Sequence, residues 1–140
     1  VVALAFFIPL LIDTGGNTGT QASTLVIRGL TVGEIEEADL GHVLLKESLS
    51  GLLLGTVLAL LASLRAWTMG TGPGVALTVA ISVVGVVMMG NLVGAFLPFA
   101  AKKMKVDPAV MSGPLITTVV DVLGLLLYLE VARRLLGLVA

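Results

Sequence analysis

The chain has 140 residues, of which 57% are hydrophobic and only 12% charged, with a formal net charge of −1. At 14.3 kDa and a mean hydropathy of +1.12, a soluble domain would have too much surface to cover with so few charges, ordinary domains carrying about a quarter. The near-neutral charge points to no nucleic-acid partner, the lack of cysteine removes disulfides and thiolate chemistry, and a single histidine puts an ordinary zinc site out of reach.

The apolar residues run in blocks, and four of them approach or exceed the ~20 residues that a helix needs to cross a ~30 Å hydrocarbon core. This reads as an all-α, polytopic transmembrane helix bundle, with residues 1–140 forming one membrane domain. The first block, Val1 to about Arg28, opens within an apolar run without Met or a basic leader, so it does not read as a signal peptide. The chain is expected to begin downstream of a further segment. Within this block Asp13-Thr14-Gly15 spells the triplet that aspartic proteases use to present a carboxylate. Such an enzyme needs a mostly stranded fold and two aspartates sharing a proton. Nothing here alternates as strands do, and the other intramembrane aspartate, Asp121, follows Thr-Val-Val rather than the Gly-x-Gly of intramembrane aspartyl proteases. The chain is therefore read as a non-enzyme.

The same stretch also reads as a broken membrane helix. Pro9 and Gly15-Gly16-Asn17 would loosen the helix and leave carbonyls free to face a water-filled path. Asn17, Thr18, Thr20, Gln21, Ser23 and Thr24 then supply neutral oxygens over two turns. Ordinary helix packing would use these residues equally well. Between the first two blocks, Thr31 and Glu34 have capping-box spacing. They predict a short surface helix with Ile35, Leu40, Val43 and Leu44 on the membrane and the acidic residues of 34–39 in water. That acidic run is either a vestibule for cations or a solvated loop face, and His42 is read as interfacial.

The second block spans about Leu49 to Ala66 and the third about Val75 to Ala101, ending at Lys102-Lys103. Gly51 and Gly55, and again Gly90 and Gly94, have the G-x-x-x-G spacing of closely packed membrane helices. "GNLVG" at 90–94 faintly echoes "GGNTG" at 15–19. The fourth block follows Pro108 and reaches about Arg133. It carries Asp121 with apolar sequence on both sides, a placement that costs several kcal/mol unless the carboxylate faces water, a cation or a partner. Pro114, Thr117, Asp121, Gly124 and Tyr128 share its helical face, either as a pore lining or as a buried, hydrogen-bonded stripe.

Depth connects the two aspartates. At ~1.5 Å per residue, Asp13 lies roughly 22 Å and Asp121 roughly 17 Å from the same membrane face. Antiparallel neighbours would bring the carboxylates within about one turn, with a cation or protons between them. Neutral oxygens and carboxylates suit a hard cation, and Mg²⁺ in particular is held through its retained waters. Arg28, Lys46, Lys102, Lys103 and Lys105 gather on one side, Arg65, Arg133 and Arg134 on the other. The positive-inside rule then puts residues 29–47 and 102–108 in the cytoplasm and the C-terminus outside.

Three stretches, "GGNTGTQASTLVIRGL" (15–30), "GNLVGAFLPF" (90–99) and "VDPAVMSGPLITTVVDVLGLLLYL" (106–129), resemble the membrane domain of MgtE-type magnesium channels and transporters. The resemblance implies a homodimer in the cell membrane, five helices per subunit (four of them visible here) and one pore on the two-fold axis. It makes Asp121 the selectivity aspartate for a hydrated Mg²⁺, with the Thr117 carbonyl contacting the ion's waters. Gly16, Asn17, Gly19 and Thr24 match its first span, and Thr20, Pro114 and Gly124 are expected along the same pore. Thr20 and Gly113 stand where the familiar bacterial pattern has Asn, and Asp13 where it has a small neutral residue, so Asp13 is expected to add a second acidic ring or to mark a different ion or proton coupling. The function expected is Mg²⁺ conduction, other divalent cations such as Mn²⁺ and Co²⁺ being further candidates. A coupled transporter is the alternative, and a membrane-anchoring module without transport a third class.

Overall fold

In the computed structural model, residues 2–137 are described. They form a one-turn helix α1 (Val2–Ala5) and four long helices: α2 (Ile8–Val32), α3 (Leu40–Thr68), α4 (Pro73–Lys103) and α5 (Gly113–Leu136). Short 3₁₀ turns at Glu37–Asp39 and Pro108–Val110 precede α3 and α5. All four long helices are long and apolar enough to cross a membrane, and no strand occurs among the described residues. Consecutive spans alternate in direction, so α2 and α4 run parallel and α5 is antiparallel to both.

The first span breaks earlier than its sequence indicates. The interruption falls at Phe6-Phe7, and α2 then runs without a break through Pro9 and Gly15-Gly16 to Val32. Pro9 lies in the first turn, where the missing N–H would have had no partner anyway. Gly15 and Gly16 stay helical because their bare faces are covered: a Cβ on Gly15 would meet Val86 Cγ1 at 2.6 Å. The expected loosening of backbone carbonyls at these glycines does not occur. A proline inside a helix appears instead at Pro98 in α4, where it withholds an N–H from the Gly94 carbonyl.

The surface helix expected from Thr31 and Glu34 is also absent. Thr31 lies within the last turn of α2, where its hydroxyl donates to the Ile27 carbonyl at 2.7 Å. Gly33 ends that helix at φ 78, a left-handed conformation that glycine adopts without strain. The N-terminal signal belongs to Glu36 and Asp39, whose carboxylate accepts the Glu36 N–H at 2.8 Å. Helix α3 therefore starts at Leu40, about nine residues before the predicted span. Val43 is buried in a cluster with Val26, Leu30, Ala95 and Phe99 rather than lying on the membrane, and Leu44 packs against it.

The core centres on α4, which packs against α2, α3 and α5. Helices approach closely where glycines remove side chains, as expected when hydrophobic drive is weak and van der Waals contact must bind the bundle. Gly51 and Gly55 of α3 lie on α4, a Cβ at either being 3.0 Å from Met88 Cα or Val84 Cα respectively. On the other side of α4, Gly90 and Gly94 meet Gly15 and Gly19 of α2 backbone to backbone. The two stretches that echo each other in the sequence thus pack against each other.

Tyr128 ties the ends of the chain together. It is 1% exposed, and its hydroxyl donates to the Leu4 carbonyl at 2.8 Å. Tyr128→Phe is expected to cost about 1 kcal/mol, seen as a lower unfolding midpoint in detergent. The loss should go no further, because the Leu4 carbonyl keeps the Phe7 N–H at 3.1 Å.

Candidate metal-ion path

Helix α2 has two unlike faces. Gly15, Thr18, Gly19, Ala22, Val26 and Leu30 are buried against the bundle, while Asp13, Asn17, Gln21, Thr24 and Arg28 are exposed. The exposed five recur every three or four positions and so form one polar stripe along a helix of spanning length. Hydrocarbon does not tolerate such a stripe, so its surroundings are water or another protein surface.

At the N-terminal half of this stripe, α2 and α5 enclose a cleft of about 210 Å³ lined by Pro9, Ile12, Asp13, Gly16, Asn17, Thr117 and Asp121. Gly16 makes room for the carboxylate: a Cβ there would stand 3.1 Å from Asp121 Oδ1 and 3.2 Å from Thr117 Cγ2. Neither Asp13 nor Asp121 takes part in an ion pair among the described residues. Two unneutralised carboxylates therefore share one small polar cleft. That agrees with the depth arithmetic, and the antiparallel α2–α5 contact explains it.

The hydroxyls near the cleft are oriented by their own helices. Thr117 and Thr118 both donate to the Pro114 carbonyl, at 3.0 and 2.8 Å, and Thr24 donates to the Thr20 carbonyl at 2.8 Å. A hydroxyl whose proton is so occupied offers lone pairs to its surroundings. The cleft is thus rich in oxygen acceptors. Among the described residues no group of three or more His, Asp or Glu comes together, so one chain does not by itself build a dehydrating carboxylate cage.

Other predicted residues are distributed differently. Thr20, Thr24 and Pro114 continue from the cleft toward the start of α5. There Gly113 faces Thr20, a Cβ on the glycine standing 3.2 Å from Thr20 Cγ2, and the Thr20 hydroxyl is buried without a partner. The two positions that depart from the familiar pattern therefore face each other. Gly19 is turned away from the cleft and buried under the Gly90 carbonyl. Gly124 is likewise buried, against Val86 and Met89 of α4. The α5 stripe consequently divides: Pro114, Thr117 and Asp121 open outward, while Gly124 is covered by α4 and Tyr128 is buried with its hydroxyl on Leu4 of α1.

One polar pair was missed. Buried Asn91 donates from Nδ2 to Glu47 Oε2 at 3.1 Å, joining α4 to α3. The available signal was a lone amide in the middle of an apolar span, which needs a partner in the bilayer.

The geometry described above agrees with the similarity to known proteins. The profile of the MgtE family, described as a divalent cation transporter, matches residues 8–131. The magnesium transporter MgtE of Thermus thermophilus is 48% identical over 136 residues, covering 97% of this chain and 30% of that protein. The corresponding transporter of Bacillus subtilis is 37% identical over 132 residues, 94% of this chain and 29% of its own length. That of Enterococcus faecalis is 36% identical over 135 residues, or 92% and 28%. The chain thus spans less than a third of the curated relatives it matches. With the family profile running from the start of α2 almost to the end of α5, the chain belongs to the MgtE family of divalent cation transporters.

Proposed function

We propose that this chain forms the membrane pathway of a homodimeric magnesium channel, in which the polar stripe of α2 and the Asp121 cleft face a two-fold axis. The observation that carries this reading is the exposed stripe of Asp13, Asn17, Gln21, Thr24 and Arg28 on a spanning helix. A second copy across the axis covers it from lipid and leaves a water-filled path between the subunits. Asp121 from each copy then faces one hydrated Mg²⁺, and Thr117 supplies acceptor oxygens to its waters. Asp13 adds a second acidic ring about one turn along the path. Because a single chain brings together at most two carboxylates here, the ion keeps most of its hydration shell, as Mg²⁺ favours. Thr20, Thr24 and Pro114 line the inner mouth. The basic residues at 102–105 support a cytoplasmic position for that mouth, with the C-terminus outside the cell membrane.

Because the chain lacks cysteine, single cysteines report water directly. Asn17→Cys is expected to react rapidly with a membrane-impermeant maleimide in liposomes, and Mg²⁺ should slow the reaction. Leu53→Cys, at a site 71% exposed on the lipid side of α3, is expected to stay unlabelled. Equal protection of both cysteines would rule out an aqueous path along α2.

A further inference from the structure

A second polar cavity lies where the end of α2 meets the start of α3, apart from the Asp121 cleft. It measures about 320 Å³, has an apolar wall that includes Leu25 and Ile35, and is lined by four charged residues: Arg28, Glu34, Lys46 and Glu47. None of the four is ion-paired among the described residues, where the ion pairs all involve Glu130. Four unneutralised charges around one cavity form an arrangement that a ligand of matching charge would stabilise.

Two of these charges are held in place. Glu47 Oε2 accepts from Asn91 Nδ2 at 3.1 Å, and Asn91 is itself only 6% exposed, so one carboxylate oxygen is anchored while the group still borders the cavity. Glu34 sits on the turn made by Gly33 at φ 78. That turn is closed by the Ile35 N–H donating to the Gly29 carbonyl at 3.1 Å and by the Ile35 side chain packed on Gly29.

Depth and charge identify the ligand class. The spans that contain α2 and α3 are 31 and 32 residues long, which at ~1.5 Å per residue outreaches a ~30 Å core. Arg28 lies near the end of α2 and Lys46 and Glu47 near the start of α3, so the cavity opens at headgroup level. Its two cations and two carboxylates cancel. A lone cation would meet Arg28 and Lys46, a lone anion Glu34 and Glu47, and a zwitterion satisfies both pairs.

We propose that this cavity is a headgroup site for a zwitterionic phospholipid with a primary ammonium, of the phosphatidylethanolamine class. The phosphate lies on Arg28 and Lys46, the ammonium on Glu34 and Glu47, and the acyl chains leave along the apolar wall. Three N–H donors on the ammonium match two carboxylates, whereas a quaternary ammonium has none. The site shares Arg28 with the polar stripe of α2 but none of the residues that line the Asp121 cleft, and lipid binding is measured apart from ion flux.

The test is native mass spectrometry of the detergent-solubilised full-length protein, titrated separately with dioleoyl phosphatidylethanolamine, phosphatidylcholine and phosphatidylglycerol. The ethanolamine lipid is expected to bind tightest. Arg28→Gln and Glu47→Gln should each weaken it roughly tenfold, the size of one charge-assisted hydrogen bond, and Lys103→Gln should leave it unchanged. Arg28 is exposed, so its replacement does not threaten the fold, and Glu47→Gln keeps a carbonyl oxygen for Asn91. Tighter phosphatidylglycerol binding would reduce the cavity to a basic surface and overturn the proposal. Equal binding of phosphatidylcholine, or equal ethanolamine-lipid binding by parent and both variants, would overturn it as well.

Discussion

Asp121→Ala is expected to lower Mg²⁺ uptake by liposomes containing the full-length protein by roughly tenfold or more, with the fold retained. Hydrogen bonds to a charged group contribute about 1.5–3 kcal/mol, and 1.4 kcal/mol is a factor of ten. In the proposed homodimer the substitution removes two carboxylates at once. The fold should tolerate it because Asp121 borders a cleft, takes part in no ion pair among the described residues and leaves no buried cation behind. Asp13→Asn is expected to give a smaller loss, since its carboxylate belongs to the second ring of the proposed path. Unchanged uptake in Asp13→Asn would remove that ring from the mechanism. Uptake by Asp121→Ala equal to the parent would return Asp121 to a packing role and take the pore with it. Uptake driven by voltage without a counter-ion marks a channel, and an absolute need for a counter-ion marks the coupled alternative.

The second large effect concerns stability. A Cβ at Gly94 would fall on the Gly19 carbonyl oxygen, and one at Gly90 would be 2.6 Å from the Gly15 carbonyl oxygen. Neither obstacle is a side chain that can swing aside, so α2 and α4 must separate. Gly94→Ala is expected to destabilise by about 3 kcal/mol, the upper part of the usual overpacking range, and to lower the unfolding midpoint sharply in detergent. Gly41→Ala is the control: it is also helical, but nothing lies within 4 Å of its Cβ. Removing a helical glycine there should stabilise by about 0.5–1 kcal/mol. Similar midpoints for the two variants would contradict the close α2–α4 crossing.

The four spans were legible because ~20-residue apolar blocks have few other uses. The approach of Asp13 to Asp121 was legible too, because helical rise converts sequence distance into depth once two spans are antiparallel. The role of Gly15-Gly16 was not. In water a glycine pair weakens a helix, but in a tightly packed membrane bundle the same residues admit a neighbouring backbone, and sequence alone does not reveal the neighbour. Helical spacing placed Gly124 and Tyr128 beside Asp121, correctly for one helix. What covers them comes from α4 and, for Tyr128, from Leu4 of α1, which the α5 sequence does not encode. The start of α3 was misplaced because charged Lys46 and Glu47 resemble a loop, although Glu47 is partly buried and held by an amide 44 residues away.

The glycine-lined crossing of α2 and α4 also bears on how the protein is made. These helices are parallel and not consecutive, so their contact cannot form until α3 has returned across the bilayer and α4 has emerged from the ribosome. During that interval α2 stands in the membrane with its glycine face uncovered on one side and its polar stripe on the other. Of the four long helices, the one bearing the polar stripe is therefore the one that waits longest for its partners.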